Sequence, residues 1–165
     1  MKRKTTIVVL ALLAAASPAA RTAIGADDAK NAPAAPSRDP TAPKPELSPQ
    51  EVVRIVLDAL RKNDTPREDA GIETTFRFAS AANKEVTGPL ERFKKMVKAP
   101  RYRPLLNHKS ARMGISLVDG NTATQRVTIT AADGKEAVYE FVLSKDAETG
   151  CWMTDAVVVP ESVEA

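Results

Sequence analysis

Apolar residues recur with a helical period in the segment that follows residue 47. The segment opens on Ser48 with Glu51 three residues later, which is the spacing of a capping box, and Pro49 suits the first helical turn. Its apolar positions are Val53, Val56, Leu57 and Leu60. The pattern predicts an amphipathic helix that ends before Pro66, because a proline disfavours the helical conformation of the residue before it.

Two later segments, 66–80 and 87–98, show the same helical period. Their apolar faces consist of Ile72, Phe76, Ala79, Leu90, Phe93 and Val97. Pro89 lies in the first turn of the second segment and Pro100 ends it. The folded part of the chain is therefore predicted to begin with three helices.

After Pro104 the helical period gives way to alternation of apolar and polar residues. The alternating apolar positions are Met113, Ile115, Leu117, Ala123, Val127, Ile129, Ala137, Tyr139, Phe141 and Leu143. Asp-Gly pairs at 119–120 and 133–134 separate these runs, and this dipeptide favours hairpins because it tolerates positive φ. A last run follows Gly150. We predict a four-stranded antiparallel sheet with three helices on one face, which is the α+β class.

The first twenty residues have the three parts of a secretory signal peptide. Three basic residues precede the apolar run 7–16, and small residues with cleavage sites after Ala16 or Ala19 follow, Ala26 being a weaker site. The apolar run is shorter than the roughly 20 residues that span a bilayer. We expect export to the periplasm or beyond the cell, the alternative being an uncleaved signal that anchors the protein in the inner membrane.

Composition divides the remainder of the chain. Residues 21–47 are rich in alanine and proline and are predicted to be a disordered linker, 48–160 the folded domain, and 161–165 a short tail. The chain has a formal charge of +3, of which residues 1–20 contribute three positive charges and no negative one, so 3 − 3 = 0 remains. A net charge near zero gives no reason to expect nucleic-acid binding.

Four strings resemble a known family: GIETTFRFASAAN, TGPLERFKKMV, YRPLLNH and GCWMTD. In this order they resemble a family of uncharacterised bacterial and plant domains of unknown function. That family is similar in layout to the nuclear-transport-factor-2-like superfamily, in which helices pack into the concave side of a curved sheet to make a cone. The resemblance covers roughly residues 48–160, and it implies no catalytic residues, because the family has none assigned. The superfamily includes isomerases, dehydratases, ligand binders and interaction modules, so membership of the fold barely constrains function.

The string GCWMTD contains the one cysteine and the one tryptophan of the chain. Strand periodicity would place Cys151, Asp155 and Val157 on one face and Trp152 on the other. Nothing nearby in the sequence would stabilise a thiolate, so we expect Cys151 to be buried, a reactive or intermolecular cysteine being the alternative. Trp152 is expected to pack, at the mouth of the implied cone.

Two polar residues interrupt apolar faces, Asp155 in the last strand and Gln125 in the second. A buried polar group needs a partner, so each is either satisfied within the protein or lines a wet pocket. A bulge near the end of the strand would instead turn Asp155 out to solvent. The pocket candidates are Asp155, Gln125, Tyr139, Trp152 and His108. An acid in an apolar cavity can act as a proton carrier, so an isomerase or dehydratase with Asp155 in that role is the enzymatic alternative.

His108 is the one histidine, which excludes sites built from several histidines, and the common nucleotide, metalloprotease and hydrolase motifs are absent from the sequence. We therefore predict no metal and no cofactor. A basic stretch after residue 91 contains Lys94, Lys95, Lys98, Arg101 and Arg103. These residues are either a solvated helix face or a contact surface for anionic envelope polymers or lipid headgroups.

Together these features favour a non-catalytic binding module over an enzyme. The expected partner is a small apolar ligand or an envelope protein, and no nucleic acid is expected, because few aromatic residues accompany the basic stretch. The open face of the sheet could also pair two copies as a homodimer, an expectation that rests on fold analogy.

Overall fold

The structure is a computed structural model, and it describes residues 42–160. The predicted signal peptide, the linker up to residue 41 and the tail 161–165 lie outside the described residues. Within 42–160, four α-helices are followed by four β-strands, so the predicted α+β class is confirmed. No helix in this part of the chain is long and apolar enough to cross a bilayer.

The first helix, α1 (Pro49–Arg61), begins where the sequence predicts. Ser48 Oγ accepts a hydrogen bond from Glu51 N at 3.3 Å, and Ser48 N donates to Glu51 Oε2 at 2.8 Å. The predicted capping box is thus confirmed, and it satisfies N–H groups that the helix itself leaves without partners. The buried residues of α1 are Pro49, Val52, Val53, Val56, Leu57 and Leu60.

Three shorter helices follow, α2 (Ala70–Arg77), α3 (Ala81–Thr87) and α4 (Leu90–Val97), and then a 3₁₀ turn at Arg103–Leu105. The sequence predicts α2 and α4 but not α3, so the predicted count of three helices is one too few for residues 42–160. α3 has no apolar stripe, because its buried residue is Asn83, and hydrophobic periodicity therefore does not detect it.

The strands are β1 (Ser110–Asp119), β2 (Thr122–Thr130), β3 (Glu136–Lys145) and β4 (Trp152–Val158). They form one antiparallel sheet in the order β1-β2-β3-β4, which confirms the predicted meander. Gly120 and Gly134 in the first two turns have φ of 55° and 88°, a region that glycine adopts without strain. The sheet is open, with β1 and β4 as its edges.

A β-bulge changes which residues of β4 face the helices. Thr154 pairs with Leu143 and Ala156 with Val142, so Asp155 is an extra residue in β4. Val157 pairs with Phe141, on the face of β3 that also carries Leu143, and Val157 and Thr154 therefore share a face. The predicted unbroken alternation, with Asp155 and Val157 on one face, is wrong beyond the bulge.

One hydrophobic core joins the helices to the sheet. The largest fully buried side chains of the sheet are Tyr139, Phe141, Ile129 and Leu143, and the helical side packs against them with residues such as Val52, Val56 and Phe78. The edge strand β1 is different, because Ile115, Leu117 and Val118 are exposed by 69%, 66% and 58%. The core thus lies on one face of the sheet, and the β1 edge presents apolar side chains to solvent.

Candidate functional site

A cavity of about 450 Å³ lies between β4 and the helices α1, α3 and α4. Its walls are mostly aliphatic and aromatic, and they include Val56, Leu60, Phe93, Met96, Val97, Phe141 and Val157. Clefts of about 300–1,000 Å³ with apolar walls and a few polar groups are typical of small-molecule sites. This cavity is therefore the strongest candidate site in the described part of the chain.

The cavity opens to solvent along the side of α3. Val86 lines it and is 76% exposed, Ala82 lines it and is also exposed, and Val158 at the end of β4 is 37% exposed. An apolar side chain as exposed as Val86 is not held there by core packing. A molecule can thus reach the apolar interior between α3 and the end of β4.

Hydrogen bonds to the backbone of Thr154 fix the floor of the cavity. Thr154 N donates to Phe78 O at 2.7 Å, and Thr154 O accepts from Ser80 N at 2.9 Å and from Asn83 Nδ2 at 3.0 Å. These bonds join β4 to the start of α3. The Thr154 hydroxyl is buried, but it has no hydrogen-bond partner within residues 42–160.

Asp155 is the one predicted pocket residue that lines this cavity. Its side chain is half-buried at the bulge, and its Oδ1 accepts a hydrogen bond from Ser144 Oγ at 2.9 Å. The carboxylate therefore has a partner on the neighbouring strand, outside the cavity wall.

Gln125 lies elsewhere and is 1% exposed. Its Nε2 donates to Gly114 O at 3.0 Å and to Arg126 O at 2.8 Å, and it lies 3.3 Å from Ile115 O. Gly114 and Ile115 form the bulge of β1, so the amide holds carbonyl groups that the irregular ladder leaves free. The structure does not bring Gln125 and Asp155 together in the cavity.

Tyr139, Trp152 and His108 are all buried and none of them lines the cavity. His108 Nδ1 lies 2.8 Å from Leu105 O, to which its N–H form donates, and burial lowers the pKa of His108. Trp152 belongs to the hydrophobic core. Tyr139 donates its hydroxyl hydrogen to Arg101 O at 2.9 Å, and burial raises the pKa of Tyr139 to about 12.

The raised pKa of Tyr139 predicts a loss of stability at alkaline pH. The folded state holds the phenol proton more tightly than the unfolded state, so this stabilisation is fully present below pH 10.0 and is lost as the pH rises toward 12. We expect the free energy of unfolding to fall by on the order of 2 kcal/mol more in the native sequence than in Tyr139→Phe. Urea unfolding at about pH 9 and about pH 12 measures this difference, and equal losses in the two proteins would contradict it.

The basic stretch divides into paired and exposed residues. Lys94 Nζ lies 3.3 Å from both Glu73 Oε1 and Glu91 Oε1, and Lys98 Nζ lies 2.9 Å from Asp69 Oδ2. These ion pairs raise the pKa of both lysines, the hydrogen bonds to Glu91 and Asp69 being the largest cause. Of Lys94, Lys95, Lys98, Arg101 and Arg103, those with exposed side chains and no ion pair within the described residues are Lys95, Arg101 and Arg103. Those three are the ones that remain available for an anionic surface.

Cys151 is buried, as expected, and its Sγ lies 3.8 Å from Thr149 O. Within residues 42–160 no three His, Cys, Asp or Glu side chains come together in a group that could hold a metal ion. The residues that sequence reasoning missed are Thr154 and Asn83, which form the polar floor of the cavity. The available signals were a polar residue in the apolar last strand and an N-cap serine three residues before Asn83.

Comparison with known families matches this domain to one of them. Residues 44–165 match the family described as "Domain of unknown function (DUF4864)". No curated protein sequence shows significant similarity to the chain. The match includes the whole α+β domain with its cavity, and it agrees with the resemblance to a family of uncharacterised domains. The chain therefore belongs to the DUF4864 family of domains of unknown function.

Proposed function

We propose that this domain is a non-catalytic binding module that holds a small, largely apolar molecule between β4 and the helices α1, α3 and α4. The observation that carries the proposal is the cavity of about 450 Å³, which has apolar walls and an opening beside α3. Enclosing apolar surface of a ligand contributes about 25 cal/mol per Å² removed from water. Such walls can hold an apolar molecule without a charged anchor.

The enzymatic alternative, an isomerase or dehydratase with Asp155 as proton carrier, has less support. Acid–base catalysis needs a titratable group within hydrogen-bond reach of the substrate and a second polar group to stabilise developing charge. Asp155 lines the cavity, but its carboxylate is bonded to Ser144. The other predicted pocket residues, Gln125, Tyr139, Trp152 and His108, do not line it. A binding role requires only an apolar cavity of this size, whereas catalysis would also require these polar residues to line it.

Closing the mouth of the cavity should weaken binding. Ala82→Trp places an indole at the opening, on an exposed helix position where it does not disturb the core. The probe is N-phenyl-1-naphthylamine, a neutral apolar compound whose fluorescence rises in apolar surroundings. We expect its dissociation constant to increase by about tenfold or more, equivalent to roughly 1.4 kcal/mol.

The matched control for this experiment is Ala81→Trp. Ala81 precedes Ala82 on the same helix and is also exposed, but it does not line the cavity. We expect Ala81→Trp to bind the probe as the native sequence does. Absence of binding to the native protein, or equal binding by both tryptophan variants, would overturn the proposed function.

We also infer that the sheet curves around the helices, as in nuclear-transport-factor-2-like cones. Two β-bulges support this, one between Met113 and Ser116 of β1 and one at Asp155 of β4. A bulge bends its strand and increases the local twist. Bulges in both edge strands would bend the sheet toward the face that carries the core.

Export remains part of the proposal. The basic start and short apolar run of residues 1–20 support a cleaved signal peptide, and the module would then meet its ligand in the periplasm or outside the cell. An envelope protein partner, a homodimer and contact with an anionic envelope surface stay predictions. The exposed Ile115, Leu117 and Val118 of β1 favour the first two, and the exposed Lys95 favours the third.

A further inference from the structure

We propose that the cavity selects a neutral apolar molecule with one hydrogen-bonding oxygen, and that the hydroxyl of Thr154 binds this oxygen. This inference rests on the proposed function, since it names the class of ligand for the same cavity. Thr154 lines the cavity, is 4% exposed, and has a hydroxyl without a hydrogen-bond partner in the part of the chain that the structure describes.

The other threonine hydroxyls of the cavity wall do not share this property. Thr75 Oγ1 donates to Gly71 O at 2.9 Å, and Thr87 Oγ1 donates to Asn83 O at 2.8 Å. Each of these threonines lies on a helix and satisfies its hydroxyl with the carbonyl of the preceding turn. Thr154 lies on a strand, where no such carbonyl is available.

The backbone around Thr154 cannot satisfy its hydroxyl either. Thr154 N and O are engaged with Phe78, Ser80 and Asn83. A buried hydroxyl without a partner destabilises the folded state, and valine would fill the same volume without that penalty. In the empty domain the threonine is therefore unfavourable for stability, and an oxygen atom inside the cavity would remove the penalty by pairing with it.

The charges near the cavity exclude an anionic ligand. Among the described residues that line it there is no lysine, arginine or histidine, and the one carboxylic acid, Asp155, accepts a hydrogen bond from Ser144 outside the cavity wall. A carboxylate or phosphate in this cavity would lose its hydration without gaining a cation. An alcohol, phenol, ketone or ester can use the Thr154 hydroxyl without that loss.

The role of the Thr154 hydroxyl is tested by combining one change in the ligand with one change in the protein. Naphthalene and 2-naphthol have the same apolar body and differ in one hydroxyl group. Their dissociation constants are measured by displacement of N-phenyl-1-naphthylamine from the native protein and from Thr154→Val. We expect the preference for 2-naphthol over naphthalene to fall by about tenfold in Thr154→Val, while naphthalene binds both proteins equally.

Two further measurements keep the outcome unambiguous. Thr154→Ser keeps the hydroxyl and should keep the preference, and thermal unfolding should show that empty Thr154→Val is at least as stable as the native protein. An unchanged preference in Thr154→Val would overturn the role of Thr154 and leave the proposed function intact. Tighter binding of 2-naphthoate than of 2-naphthol would overturn the selection of neutral ligands. Failure of the native protein to bind the fluorescent probe would overturn both proposals.

Discussion

Gly71→Ala is expected to destabilise the domain by about 3 kcal/mol or more. A methyl group at this position would lie 2.1 Å from Ala59 O and 2.8 Å from Asn63 Cα, and both of these are backbone atoms of the α1 segment. Neither atom can move without displacing α1 from α2. The close approach is also held by a hydrogen bond from Gly71 N to Asn63 O at 2.9 Å, which the displacement would break.

The matched control is Gly120→Ala in the first hairpin. A Cβ at Gly120 would have no heavy atom within 4 Å, but the residue has φ of +55°, so the substitution carries backbone strain alone, about 1 kcal/mol. Urea unfolding of the two variants separates the steric effect from loss of glycine's conformational freedom. A destabilisation of Gly71→Ala no larger than that of Gly120→Ala would show that α1 and α2 do not pack as closely as described.

Features with local causes could be predicted from the sequence. The start of α1 depends on Ser48 and Glu51, which are three residues apart, and the hairpins depend on Asp-Gly pairs whose glycines adopt positive φ. Hydrophobic periodicity does not detect α3, because its buried residue, Asn83, is polar. The polar Asp155 in an apolar strand is compatible with a bulge, but periodicity alone does not decide between a bulge and an unbroken strand. The sequence gives no sign of the role of Gly71, since the backbone atoms close to it belong to Ala59 and Asn63, which lie in and just after another helix.

The sequence predicts less of the candidate site than of the fold. Asp155 interrupts an apolar run, which makes it a pocket candidate, and it does line the cavity. Gln125 interrupts an apolar run in the same way, but its partners include carbonyl groups of a bulge that only the strand register reveals. Asn83 and Thr154 are 71 residues apart and meet through a side chain and a carbonyl group. Contacts over such separations depend on packing, and spacing along the chain does not indicate them.

Substitution of Asn63 is expected to cause the second large loss of stability. The Asn63 side chain caps α2, although Asn63 itself lies outside that helix. The N-cap residue itself, Asp69, has φ of 63° and makes no side-chain capping bond. Asn63 Oδ1 instead accepts from Ile72 N at 3.1 Å, and Asn63 Nδ2 donates to Asp64 Oδ1 at 2.8 Å. Asn63 is 3% exposed, so water does not replace these bonds.

Asn63→Leu should therefore destabilise the domain by about 2–3 kcal/mol, since it leaves a buried N–H of Ile72 without an acceptor. Leucine is branched at the same carbon as asparagine but is larger, so the loss combines the missing hydrogen bonds with overpacking of a buried site, and no cavity is created. The control is Asn121→Leu in the exposed first hairpin, where we expect a change within about 0.5 kcal/mol. Urea unfolding of both variants at neutral pH measures the difference. If Asn63→Leu were no less stable than Asn121→Leu, then α2 would be held by its packing against α1 and α4, and its first turn would not need this cap.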